Sequence, residues 1–280
     1  MPTSFTLPLA LLAFAANSLF CRFALSEQSI DPGSFTVIRL ISGALTLMAL
    51  MQFRGELNLK FLRDRNSWLA GGSLFGYAVA FSYAYTSLTT GTGALILFGI
   101  VQLTLIGAHL LSGQRLKSLE WVGIGLSISG FVVLMMPSAQ TPEWNVALLM
   151  AVSGVCWALF TLLGKRSQES ASASITHGFV IASFLAVLVA PWLIQAPKLS
   201  GSGATWALLS GVAASGLGYI IWYQVIKKIS VLQASVAQLS VPVIAFIAGA
   251  IGLGEEIRMI SVLASMLVLG GIGLVFISKR

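Results

Sequence analysis

Charge is scarce in this chain. Only 9% of its residues are Asp, Glu, Lys or Arg, against about 25% in an ordinary soluble domain, which excludes a fully water-facing globule. The carboxylates are Glu27, Asp31, Glu56, Asp64, Glu120, Glu143, Glu169, Glu255 and Glu256, and all fall in polar connections or at the ends of apolar runs. None sits in the middle of a run, so the residue that a membrane pump normally uses to relay protons is missing. The two cysteines, Cys21 and Cys156, lie inside apolar runs without metal-ligating company, so they read as small buried hydrophobes and no metal site is expected. The two histidines, His109 and His177, are far apart, and HExxH, GxSxG and intramembrane Asp pairs are absent; neither an enzyme nor a bound cofactor is expected. No polar stretch is long enough for a water-soluble domain.

What fills the chain instead is apolar sequence, 57% of it, with a mean hydropathy of +0.92. Ten runs of spanning length can be read at 4–25, 33–53, 66–86, 91–111, 119–136, 144–164, 174–194, 204–226, 231–252 and 259–277. About 20 apolar residues cross a ~30 Å hydrocarbon core as a helix. Helices satisfy their own backbone groups in lipid, whereas a membrane barrel would need alternating segments of about ten residues. Ala13-Phe14-Ala15 resembles a cleavage site, but no Lys or Arg precedes it and the run continues past it, so the first run is expected to stay as a span.

The basic residues are lopsided. With the N-terminus in the cytoplasm, that side collects Arg54, Lys60, Arg63, Arg65, Arg115, Lys117, Lys165, Arg166, Lys227, Lys228, Lys279 and Arg280, and the far side only Lys198 and Arg258. The positive-inside rule therefore predicts both termini in the cytoplasm. The net charge of +7 reads as an address to anionic lipid, and its scatter over several connections argues against nucleic acid as a partner.

The chain also repeats itself. At an offset of roughly 138 to 141, Trp68 answers to Trp206, Leu19-Phe20 to Leu159-Phe160, Tyr85 to Tyr223, and Gly123 and Gly130 to Ala264 and Gly271. The expected units are residues 1–138 and 139–280. Five spans are an odd number, so the second copy enters the membrane upside down, and inverted repeats are a transporter signature.

Helical spacing gathers polar and aromatic side chains on particular faces. Ser73, Tyr77, Phe81 and Tyr85 share a face of the third span; Ser153, Trp157, Phe160 and Thr161 of the sixth; Ser215, Tyr219, Trp222 and Tyr223 of the eighth. Phe98, Gln102 and His109 align on the fourth, Ser235, Gln238 and Pro242 on the ninth, and Phe14, Asn17 and Cys21 on the first. Lipid-facing stripes have no need of amides and hydroxyls among rings, whereas a pocket for an amphipathic solute does. Asn17, Tyr77, Phe81, Phe98, Gln102, Trp157, Tyr219, Trp222, Tyr223 and Gln238 are the candidate substrate-binding residues. Their blander alternatives are interfacial belts for the rings and interhelical hydrogen bonds for the amides. Trp68, Trp121, Trp144, Trp192 and Trp206 read as belt residues.

Arg22 and Arg39 lie within spans. Arg22 can snorkel to the interface; Arg39 is expected to anchor structure or gate the outer side, paired with Glu27 or Asp31, with capture of a substrate carboxylate as the alternative. His109 and His177 read as buried single-hydrogen-bond residues or, more sharply, protonatable gates. Pro242 should kink the ninth span. Thr89-Thr90-Gly91-Thr92-Gly93 and Lys227-Lys228-Ile229-Ser230 are the expected alternating hinge loops, with Gly91 and Gly93 supplying flexibility. Gly72-x-x-x-Gly76 and Ala214-x-x-x-Gly218 are expected to let helices approach closely.

The chain resembles the drug/metabolite transporter superfamily in its ten-helix EamA-type branch. The resemblance rests on Pro32 followed by Arg39, Cys156-Trp157-Ala158 with Lys165-Arg166, Pro242, Gly254-Glu255-Glu256, and the glycines Gly270, Gly271 and Gly273. The first half departs from the pattern: Gln102 stands where proline is expected, and Gln114-Arg115-Leu116 replaces the glutamate turn. Within the branch it looks most like the YddG-type bacterial exporters of aromatic and other neutral amino acids. That resemblance implies an all-α membrane protein in which the first, third, fourth, sixth, eighth and ninth spans surround a central cavity. It implies a multi-pass protein of the bacterial inner membrane that exports small neutral, aromatic amino acids, with the bilayer as its other partner; whether it works as a monomer is left open by the sequence. Movement down the substrate's own gradient, or coupling through something other than a mid-span carboxylate, is expected, since no carboxylate sits mid-span. A carrier of another metabolite or a drug is the nearest rival; a channel or scaffold is a rival of a different class.

Overall fold

The computed structural model describes residues 3–25, 28–56, 59–253 and 258–278. These residues are helical almost throughout, and β-structure among them amounts to one isolated bridge between Ile30 and Leu199. The helices are α1 (Thr3–Leu25), α2 (Pro32–Phe53), α3 (Arg65–Ala84), α4 (Thr90–Leu111), α5 (Ser118–Met135), α6 (Trp144–Arg166), α7 (Ala171–Leu193), α8 (Gly201–Leu209), α9 (Gly218–Ile226), α10 (Val231–Gln238), α11 (Ser240–Leu253) and α12 (Met259–Ile277). Segments α8 and α9 continue one rod through a widened π turn at Ser210–Leu217, and α10 and α11 form another. The segments thus make ten rods. Among the described residues nine are long and apolar enough to cross a bilayer; the tenth, α3, opens on Arg65, Asn66 and Ser67 and is the least apolar of the rods.

Short polar side chains start these helices. Asp31 Oδ1 accepts from the Ser34 N–H at 2.8 Å, with Pro32 pre-set at the first helical position of α2. Asp64 caps α3 through the N–H groups of Asn66 and Ser67. Thr89, Ser170 and Ser200 cap α4, α7 and α8 in the same way, and Ser230 with Gln233 forms a capping box on α10. Gly55 and Gly113, at φ +65° and +79°, turn the chain away after α2 and α4.

The rods pack as two interlocked halves. α2 lies against α7, and α5 against α12; α3 meets α6 and α7 where α1 and α2 meet the α8–α9 rod; α4 meets α6 where α1 meets α11. This set of pairings is unchanged when the halves are exchanged, as a two-fold relation between repeats requires. The α5–α12 crossing carries it to single residues. A methyl group on Gly123 would lie 2.7 Å from the Gly271 carbonyl oxygen, and one on Gly130 2.6 Å from that of Ala264. These are the residues matched between the halves by sequence, now in reciprocal contact. The close approaches elsewhere follow expectation in part, Gly76 packing on Cys156 Sγ. Gly72 faces open space, and its neighbour Gly71 packs on Ile181 and the Gly178 carbonyl; Gly218, as expected, fits against Ala13.

The rings at the rod ends divide. Trp144, Trp192 and Trp121 are exposed on the outside of the bundle, while Trp206 packs against Phe20 and Phe23. Leu103, Phe184, Leu188, Met266 and many other apolar side chains are exposed along the rods, the surface that lipid covers.

Candidate substrate site

A cavity of about 30 Å³ lies at the centre, lined by Phe14, Asn17 and Ser18 of α1, Tyr77 and Phe81 of α3, Leu97 and Phe98 of α4, Trp157 of α6, Tyr219 of α9 and Gln238 of α10. Five rods and an interrupted sixth thus meet at one point. Phe14 is the hub of an aromatic cage: its ring stands edge-on to Trp157 at 5.3 Å, Tyr219 at 5.6 Å and Trp222 at 5.2 Å between centroids. Trp157 in turn meets Tyr77 at 4.9 Å and Tyr219 at 5.0 Å. Such contacts contribute about 0.5–1.5 kcal/mol each beyond the area they bury. The space between them holds about one or two waters and no larger solute.

Two polar systems cross the cage. On one side the Trp157 indole N–H donates to Gln238 Oε1 at 2.6 Å, and Gln238 Nε2 donates to the Ala234 carbonyl at 3.1 Å. On the other, Asn17 Oδ1 accepts from Ser210 Oγ at 2.7 Å and Ser215 Oγ at 3.4 Å. Ser215 Oγ also accepts from Arg39 Nε at 3.0 Å, and Arg39 Nη2 donates to the Tyr219 hydroxyl at 2.9 Å. Ser210 and Ser215 are five residues apart, which in an α-helix separates them by well over a quarter turn; the i→i+5 winding of the π turn brings both onto Asn17. The π turn forms where α2 presses closest. A Cβ on Gly211 would collide with Ser42 Oγ and the Arg39 carbonyl, and Gly216 approaches Gly43.

Of the candidate residues, Asn17, Tyr77, Phe81, Phe98, Trp157, Tyr219 and Gln238 meet at the cavity. Three do not line it. Trp222 and Tyr223 share the face of Tyr219 but lie a turn deeper and are wholly buried. Trp222 packs on Phe14, and Tyr223 donates its hydroxyl to the Phe160 carbonyl at 2.8 Å; together they close the cavity floor. Gln102 is buried one turn beyond Phe98, and neither its amide nitrogen nor its oxygen has a hydrogen-bond partner. Ser18, Leu97 and Ser210 belong to the site without having been singled out. Ser18 follows Asn17 directly, and Ser210 escapes any α-helical face projection because of the π turn.

A larger vestibule of about 680 Å³ adjoins the cavity and shares Ser18, Leu97 and Phe98 with it. Cys21, Arg22, Tyr85, Gly91, Gln140, Pro242 and Phe246 complete its wall. It opens at the end where α1, α3, α5 and α11 finish. Gly91 and Gly93 are not a flexible loop here. They lie in the first turns of α4, capped by Thr89 and tied to the next connection by Thr92 Oγ1, 2.7 Å from the Gln140 N–H. Gly93 is small because the Tyr85 ring lies against it. Pro242 acts as expected but one turn upstream. It lacks the N–H that would bond the carbonyl four residues back, that of Gln238, and the rod breaks between Gln238 and Ser240. The hinge therefore coincides with a cavity residue.

The opposite end is shut. Lys165, in the last turn of α6, donates to the Ile226 carbonyl at 2.8 Å and to that of Ile229, while Lys227 after α9 donates to the Ser167 carbonyl at 3.1 Å and to that of Glu169. Each lysine caps the carboxyl end of the other's helix, where the dipole favours a cation. Burial pulls the Lys227 ammonium below its ordinary pKa, with Glu169 opposing. His177 joins the same end: its Nδ1 lies 2.9 Å from Glu169 Oε2, and its ring stacks on Phe61 at 4.2 Å. His109 is buried at the end of α4, where its carbonyl accepts from Ser112 Oγ at 2.6 Å.

Of the two acids expected to pair with Arg39, the described one, Asp31, does not. Asp31 is engaged by the N–H groups of Ser34 and Lys198, and Arg39 turns inward to Ser215 and Tyr219. Glu27 and the Gly254-Glu255-Glu256 turn lie outside the described residues. Arg22 is exposed on the vestibule wall.

The chain is similar to known proteins along its whole length. The EamA-like transporter family model matches residues 2–136 and again 144–277. The uncharacterized protein PA1977 of Pseudomonas aeruginosa is 44% identical over 267 residues, covering 95% of this chain and 92% of its own. An uncharacterized transporter of Archaeoglobus fulgidus is 28% identical over 96% of this chain and 95% of its own, and the uncharacterized inner membrane transporter YedA of Escherichia coli is 23% identical over 86% and 79%. One solved crystal structure superposes with a TM-score of 0.78 over 98% of this chain and 99% of the other at 21% identity, a likeness of fold. Two matches to one family model, laid end to end over ten helical rods with a polar centre, settle the assignment: the chain belongs to the EamA-like transporter family, within the drug/metabolite transporter superfamily, and is a multi-pass membrane transporter.

Proposed function

We propose that this transporter exports small neutral amino acids with aromatic side chains from the bacterial cytoplasm, by alternating access and down the substrate's own gradient. The observation that carries the reading is the central cage: rings of Phe14, Tyr77, Trp157 and Tyr219 enclosing the amides of Asn17 and Gln238 at a point where six rods meet. Rings stack on an aromatic side chain, and amides take the polar end of a zwitterion. A cationic drug would need a carboxylate at this point, and none of the described ones is near it. A phosphate-bearing solute would need several cations there, and the mid-span candidates are Arg22 and Arg39 only.

The two five-rod units, 1–138 and 139–280, are read as inverted copies that exchange roles between states. With both termini in the cytoplasm, as the basic connections favour, the vestibule faces outward and the Lys165–Lys227 clasp closes the inner side. The inner membrane is the expected location and one copy the working unit. Transport needs no protons on this reading, because every described acid sits at a rod end or in a connection.

The test is counterflow of labelled phenylalanine and tryptophan into proteoliposomes, against protein-free controls. Uptake of both, with no dissipation of an imposed pH gradient, is the expected result. Absence of uptake across the aromatic and branched neutral amino acids overturns the substrate assignment, and a fixed proton stoichiometry overturns the uncoupled mechanism.

A further inference from the structure

Arg39 is 1% exposed, and its guanidinium keeps its proton at any physiological pH. No described acid stands beside it. Among the described residues the one ion pair is His177–Glu169, at the clasp end. The Arg39 donors go instead to neutral hydroxyls, Nε to Ser215 and Nη2 to Tyr219; the Tyr77 hydroxyl also faces the cation, which lies 5.4 Å from that ring's centroid, and Nη1 has no partner at hydrogen-bonding geometry. A buried charge without a counter-ion is among the most unfavourable arrangements a fold can hold. A neutral donor would link Ser215 to Tyr219 without that penalty, so packing alone does not account for a cation here. Its surroundings do. Tyr77 and Tyr219 are cavity walls, and Ser215 connects to Asn17, a third. The guanidinium thus stands one side chain behind the cavity, with an unused N–H.

We propose that Arg39 is the carboxylate receptor of the central cavity. An entering carboxylate displaces the Tyr219 hydroxyl from Nη2 and takes Nη1 with it, forming the bidentate pair that a guanidinium fork favours. The π turn at Ser210–Leu217, immediately before Tyr219, is the part of the wall whose winding can tighten to let that ring move. One cation suits one negative charge, so the ligand carries a single carboxylate, with or without an ammonium, on an apolar or aromatic body. This rests on the export reading above and narrows it: the carboxylate is obligatory, and the amino group is not.

The experiment is competition with labelled phenylalanine counterflow by phenylalanine, 3-phenylpropionate, phenylalaninamide and phenethylamine. Both carboxylates should compete within about tenfold of each other, and the amide and amine should be weaker by about a hundredfold or more, as a site built around one charged group rejects analogues lacking it. In Arg39→Gln the preference for acid over amide should collapse at least about tenfold, and Arg39→Lys should keep part of it. Equal competition by acid and amide in the unaltered protein overturns the receptor while export stands, and this needs no variant to fold. If phenylalanine counterflow fails altogether, thermal stabilisation of the purified protein by the same four compounds decides. Stabilisation by the carboxylates alone retains Arg39 as receptor and removes the export reading; equal or absent stabilisation overturns both.

Discussion

Trp157 on α6 and Gln238 on α10 are joined by a 2.6 Å hydrogen bond across the central cavity, at the break that Pro242 imposes on its rod. A ring of the cage and the hinge of the ninth rod are therefore one unit. Trp157→Phe keeps a ring but leaves Gln238 Oε1 buried without its donor, a cost of about 1–3 kcal/mol, equivalent to about fivefold to a hundredfold or more in an equilibrium constant. The expected outcome is a counterflow half-saturation raised by about tenfold with expression unchanged. Unaltered kinetics would remove the pair from the site.

The clasp makes a prediction about populations. Lys165 and Lys227 hold the α6 and α9 ends together while the vestibule is open. Lys165→Met with Lys227→Met removes both and favours opening at that end, which by alternating access closes the vestibule. A single cysteine at Ala245, on the vestibule wall, in a Cys21→Ser/Cys156→Ser background, reports this. Its labelling by a membrane-impermeant thiol reagent should slow several-fold in the lysine variant, since a loss of about 1 kcal/mol shifts a two-state balance about fivefold. Equal labelling rates would show that the clasp does not bias access.

Run length and apolarity made the ten rods legible, because lipid admits few backbone solutions. The cage was legible too, since Tyr77 and Phe81, or Tyr219 and Trp222, follow α-helical spacing. Depth along a rod was not. Trp222 and Tyr223 share Tyr219's face, and only packing against Phe14 and Phe160 places them below the cavity. Gly72 and Gly71 differ by one residue in sequence and by which neighbour presses on them. The π turn was hidden for another reason: its cause, the pressure of α2 on Gly211, comes from a rod about 170 residues away and leaves no local periodic trace.

That pressure is testable. A Cβ on Gly211 has nowhere to go, with Ser42 Oγ and the Arg39 carbonyl against it, whereas one on Gly270 meets nothing within 4 Å. Gly211→Ala should lower stability by about 1–3 kcal/mol through overpacking and weaken transport by displacing Arg39. Gly270→Ala should do neither. Thermal unfolding in detergent, run on both, separates the two, and equal midpoints would refute the crowding at the π turn.

The Asp64 cap gives a pH dependence. Burial would raise its pKa, but hydrogen bonds from Ser67 and Asn66 together with the nearby His177 outweigh it and hold the carboxyl below its ordinary 3.8. A depressed folded-state value means that the stabilisation is complete above the unfolded value and is lost as pH falls through the folded one. Asp64→Ala should therefore cost about 1 kcal/mol at neutral pH, the usual worth of a helix cap, with the difference shrinking below pH ~4. Unfolding midpoints of both proteins between neutral and strongly acidic buffer test it; a difference that does not vary with pH would mean that the cap acts without its charge.

Gln102 sets stability against function. Its amide is buried, 2% exposed, and both polar atoms lack partners, so each carries a desolvation penalty of about 1–3 kcal/mol that the fold does not recover. Methionine has nearly the same length and flexibility and no such penalty. Gln102→Met should therefore raise the thermal midpoint, by the equivalent of about 1 kcal/mol or more. If the amide is instead used when the cavity opens and the α4 face below Phe98 becomes wet, the same substitution should slow counterflow while stabilising the resting protein. A variant that is both more stable and fully active would show that Gln102 serves neither state, and one that is less stable would mean that its amide is satisfied in a way the geometry of α4 does not reveal.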